Sequence, residues 1–167
     1  MRNLRRRIEV LERSNAANLG RYQAIAERAM GCLQPDDVES LLAAYGAERV
    51  GRPLTEREEV AKRSYTEALG RGCQSAGLRP IAGTDLAIAR GVGQVLASRM
   101  SLEDLQLCRS GVLAAQHGRQ ANDQESAAMQ TYRSEMERIG LLAGFTSLGE
   151  FSEFCRRHEF SEGGDRC

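Results

Sequence analysis

The chain has 167 residues, with 23 Lys+Arg against 23 Asp+Glu, and its formal net charge is zero. At 41% apolar and 28% charged it is not compositionally disordered, and its length suits one domain with a sizeable core. The neutral total excludes a histone-like mass-action binder of nucleic acid, and no run approaches the roughly 20 consecutive apolar residues of a membrane span.

The signals are helical nearly throughout. The three prolines, Pro35, Pro53 and Pro80, sit at plausible helix boundaries, and no run shows the β-branched alternation of a strand. The expected fold is all-α, a single helical domain of about seven helices with a long N-terminal helix that either forms a protruding coiled coil or packs along the body of the bundle. The organisation read from the pattern is a long helix over 1–33, a helical domain over 34–160 and a polar tail over 161–167.

In the first segment Leu4, Ile8, Leu11, Leu19, Tyr22, Ala26, Ala29 and Leu33 recur mainly at spacings of 3 and 4, with Asn15 at the break. This reads as a heptad seam with one stutter. Burying Leu4, Ile8 and Leu11 in such a seam contributes about 1.5–3 kcal/mol per fully buried side chain. Pro35-Asp36-Asp37 then opens a short helix whose face is Val38, Leu41, Leu42 and Tyr45, with Gly46 expected as its stop. After a loop to Leu54, Thr55 and Glu58 form a capping box for a helix ending near Gly70-Arg71-Gly72. Residues 73–83 are irregular. A helix opening at Thr84-Asp85 is expected to break at Gly91-Val92-Gly93. Ser101 and Asp104 cap the next helix, a longer one follows from Ala121 to Ile139, and Ser147 caps the last, which carries Phe151, Phe154, Cys155 and His158. No internal repeat shows at the 20–50 residue periods that mark solenoids.

The zero charge is a sum of blocks. Residues 1–13 hold five Arg and two Glu, 34–60 hold seven acids and three Arg, and 62–99 hold six bases and two acids. Two basic blocks therefore alternate with acidic ones, either as solvated faces that attract within the fold or as one basic surface.

Few residues invite chemistry. There is no phosphate loop and no nucleophile elbow. The histidines are His117 and His158, and the cysteines Cys32, Cys73, Cys108, Cys155 and Cys167 are odd in number and widely spaced. Cys108/His117 and Cys155/His158 read as structural residues, and no spacing matches a metal motif. No catalytic residue, cofactor or metal is expected. The absence of a secretory h-region and of a disulfide framework suits the cytoplasm.

Two surfaces remain. Phe151 and Phe154, flanked by Phe145 and Phe160, form a candidate docking face beside the Leu4–Ile8–Leu11 seam. The expected function is therefore non-enzymatic, through contacts with a protein partner or a second copy of the chain. The alternative partner is nucleic acid. Residues 85–99, with small Ala87, Gly91 and apolar Val92, resemble the helix-turn-helix of bacterial repressors. That resemblance implies a DNA-associated adaptor or regulator. Gln94, Ser98 and Arg99 would then project from a recognition helix, with Arg2, Arg5, Arg6 and Arg7 on phosphate.

Overall fold

A computed structural model describes residues 18–79 and 84–159. Among them are seven helices and no strand: α1 (18–31), α2 (Pro35–Val50), α3 (Glu56–Ser75), α4 (Thr84–Arg99), α5 (Leu102–Gln116), α6 (Asp123–Leu142) and α7 (Leu148–Glu159). No described helix is long and apolar enough to cross a membrane. The seam residues Leu4, Ile8 and Leu11, and Arg2, Arg5, Arg6 and Arg7, lie outside the described residues.

Local chemistry sets most helix starts. The Thr55 hydroxyl accepts from the Glu58 amide while the Glu58 carboxylate accepts from the Thr55 amide; Ser101 with Asp104 and Asn122 with Glu125 close the same reciprocal pair. Each box satisfies two amides that the first helical turn leaves without partners.

Three expectations about glycine are corrected. Gly46 does not stop α2, which runs on to Val50 and ends at Gly51, whose φ is 71°. Gly46 is buried mid-helix because a Cβ there would stand 1.9 Å from the Leu142 carbonyl oxygen: it permits a backbone-to-backbone approach. Helix α3 passes through Gly70 and Gly72 to Ser75. Helix α4 is continuous through Gly91-Val92-Gly93, and Gly91 has no positive φ. Its missing side chain leaves room for Val38 and Leu42 of α2, 3.1–3.4 Å from where a Cβ would be.

The helix ends reveal a repeat longer than the periods considered above. Among the described residues, those with positive φ are Gly51, Gly77, Gly118 and Gly144. They pair as Gly51 with Gly118 and Gly77 with Gly144, each 67 residues apart. The same offset relates the caps Thr55 and Asn122, and the 20-residue helices α3 and α6. The Arg52 amide donates to the Ala47 carbonyl as Arg119 does to Ala114, and Leu78 donates to Cys73 as Phe145 does to Gly140. Ala61 and Ala128, Tyr65 and Tyr132, and Arg71 and Arg138 match at this offset as well. The α2–α3 and α5–α6 helix pairs are thus two copies of one unit, each preceded by a helix, α1 and α4, although α1 buries Ala26 and Met30 where α4 exposes Gly93 and Ala97.

The two turns that join the antiparallel helix pairs are built alike. Arg52 reaches Glu58 at 2.6 and 3.1 Å, and Arg119 reaches Glu125 at 2.8 and 3.0 Å. Glu58 and Glu125 are the two buried charged residues among those described. Each carboxylate serves the cap amide and a forked guanidinium together, so its burial is compensated.

The units stack through α2, which lies across α4 and α6. Val38, Leu41 and Leu42 of α2 join Val92, Val95 and Leu96 of α4 and Met136 and Ile139 of α6 in one core. At its edge Glu39 accepts from Arg99 at 2.8 and 3.1 Å and from Arg138 at 3.1 and 3.2 Å. Burial opposes the Glu39 charge, but the Arg138 and Arg99 guanidinium groups hold its carboxyl below the usual range.

Candidate docking groove

The sequence-predicted positions are distributed as follows. Phe151 is wholly buried and Phe154 half-buried, with their ring centroids each 5.0 Å from that of Phe145. The Phe151 ring occupies the space opened by Gly140, where a Cβ would lie 2.9 Å from it. The guanidinium of Arg49 covers Phe145 at 4.0 Å. This aromatic group closes the core under α7, so Phe151 presents no surface to a partner.

Helix α4 runs unbroken through residues 85–99, without the turn that the resemblance to a helix-turn-helix implies. Gln94 lies 3.5 Å from the Leu33 carbonyl, Ser98 donates within its own helix to Val95, and Arg99 is held by Glu39. Arg90, just before the supposed turn, pairs with Glu27 of α1 at 2.9 Å. A turn glycine is useful where the chain takes a left-handed residue; here the glycine admits α2 instead. The basic block over 62–99 is largely matched within the fold: Lys62 pairs with Glu48, Arg71 with Glu67, Arg90 with Glu27 and Arg99 with Glu39.

Cys108 is buried, and burial pushes its thiol up. His117 ends α5 with Nδ1 2.7 Å from the Leu113 carbonyl. Cys155 is buried, and the side chain of His158 and all of Cys167 lie outside the described residues. Among the described residues no three His, Cys, Asp or Glu side chains gather as a metal site would require. The cleft of about 440 Å³ lined by Asp36, Glu39, Glu58 and Arg99 marks the junction of the units, and Arg partners already hold Glu39 and Glu58.

One surface has a different character. Helix α1 sits close on α3 because Gly72 admits Ile25: a Cβ on Gly72 would meet Ile25 Cγ2 at 2.5 Å. Arg21 donates to the Ala76 carbonyl at 2.6 Å and the Tyr22 hydroxyl to Arg79 at 2.8 Å, tying α1 to the end of α3. Beside this contact runs an open groove of about 390 Å³, with Ala29, Ala68 and Ala76 among its small residues and Arg28, Cys32 and Arg71 on its sides. Cys32 is the exposed cysteine among those described.

The repeat gives this groove its meaning. Cys32, Arg71, Ser75 and Ala76 stand where the second unit has Arg99, Arg138, Leu142 and Ala143. Those four are the residues that meet α2 through Glu39 and Gly46. The α4/α6 face is therefore filled by a helix, whereas no described helix covers the α1/α3 face. Sequence reading did not single out Arg28, Cys32 and Ala68 as a surface; the 67-residue offset marks only Arg71, matched to Arg138, and Cys32, which stands where the second unit has Arg99.

Comparison with protein-family models, with characterised proteins and with solved structures finds no match to this chain.

Proposed function

We propose that this is a non-enzymatic helical protein that acts through protein–protein contacts, with the α1/α3 groove as a docking face. The observation that supports the reading is the contrast between two equivalent faces, one covered by α2 and one open. A stacked unit that leaves a face uncovered is suited to receive another element, as terminal units of repeat proteins do unless capped.

Self-association through Leu4, Ile8 and Leu11 is the second contact of this reading, since those residues precede α1 in the sequence at the spacings of a heptad seam. Sedimentation velocity over a range of concentrations tests it. The expected result is concentration-dependent association that weakens in Leu4→Ala/Leu11→Ala. A chain that stays monomeric at high concentration, with no effect of the double substitution, removes self-association and leaves the groove as the contact to be tested.

A further inference from the structure

We infer that the α1/α3 groove receives an amphipathic helix of another protein, carrying a carboxylate where α2 carries Glu39. The inference rests on the docking reading and specifies its partner. Its template is internal: α2 on α4/α6 shows what kind of element such a face accepts.

Three considerations define the partner. The acid comes first. Glu39 is held from α6 by Arg138, and Arg71 stands at the matching position in the groove. Arg28 lines the same groove, so two guanidinium groups flank it, and Arg71 is only loosely engaged, 3.8 Å from the exposed Glu67. Shape follows. Where α6 has Ile139 and Leu142, α3 has Gly72 and Ser75, and where α4 has Leu96, α1 has Ala29. The floor is lower, so the groove admits a helix like α2 and leaves room for larger apolar side chains than α2 carries. Finally, helix-in-groove recognition places such anchors at spacings of three and four residues.

The other occupants fit less well. In a second copy α5 is the equivalent of α2, and its outer face is exposed. It carries Gln106, Arg109 and Leu113 at the positions of Glu39, Leu42 and Gly46. The acid is lost, a third arginine approaches Arg28 and Arg71, and a leucine stands where close backbone contact needs glycine. The segment 1–13 of the chain itself holds five Arg and two Glu, the wrong sign for this groove.

The probe is a helix-stapled peptide of the α2 sequence, residues 35–50, added to the full chain. The readout is alkylation of Cys32 by iodoacetamide, followed by mass spectrometry of its fragment. The expected result is saturable protection of Cys32. A Glu39→Lys peptide requires about tenfold more for the same protection, and so does the original peptide against an Arg71→Glu protein; the two charge reversals together restore it. Protection that ignores both reversals contradicts the acidic partner while leaving docking in place. Failure of the original peptide to protect Cys32 at any concentration contradicts docking itself. A Cys32 already protected in the protein alone assigns the groove to the chain's own segment if independent of concentration, or to a second copy if not, and overturns the inference.

Discussion

At the scale of single residues, the glycines separate by what surrounds them. Gly46 lies against the backbone of Leu142, Ala143 and Gly144, which cannot withdraw as a flexible side chain can. Gly93 is also helical, yet nothing stands within 4 Å of a Cβ built there. Gly93→Ala is therefore expected to raise unfolding stability by about 0.5–1 kcal/mol, through helix propensity and a less free unfolded chain. Gly46→Ala is expected to lower it by about 1–3 kcal/mol or more, because the added methyl forces α2 away from α6. Urea unfolding of the two variants checks the pair. Equal effects would mean that α2 does not make the close contact. Both residues look alike in the sequence, which records neither the partner helix nor its distance.

At the scale of elements, the turns between paired helices depend on two buried carboxylates. The Arg119 guanidinium lowers the Glu125 carboxyl most, with help from the Ser110 hydroxyl and the Asn122 amide, to about 2. Arg52 lowers that of Glu58 in the same way, against an opposing effect of burial, with Thr55 assisting. A carboxyl depressed in the folded state stabilises it above the unfolded value of about 4.3. That contribution is lost as pH falls toward the folded value. The thermal midpoint should thus decline below about pH 4.3. Glu125→Gln should lower it at pH 7, and the gap between variant and parent should close as pH falls toward about 2, where Glu125 protonates. A gap that stays constant would show that the carboxylate does not hold the turn. Thr55 with Glu58 and Ser101 with Asp104 were legible in the sequence because a capping box lies within four residues. The continuity of α4 was not, since Gly91-Val92-Gly93 reads locally as a break and only the presence of α2 explains Gly91.

At the scale of the molecule, the all-α fold and most helix starts follow from apolar spacing and capping residues. The stacking of two like units does not follow from them, because its signature is a small set of matched residues 67 positions apart, such as Gly51-Arg52 and Gly118-Arg119. At the Phe-rich end of the chain, Phe145 and Phe151 have the composition of a docking face and the burial of a core, while Phe154 is half-buried. The open groove is made instead of alanines and arginines, residues that carry no individual signal. Its role rests on the claim that the α1/α3 face accepts a helix as the α4/α6 face does. Heteronuclear NMR of the ¹⁵N-labelled full chain, titrated with the stapled α2 peptide, tests that claim most directly. The account predicts saturable shifts confined to the groove, at Ile25, Arg28, Cys32, Ala68, Gly72 and Ala76. Shifts clustered elsewhere, or none at saturating peptide, would contradict it.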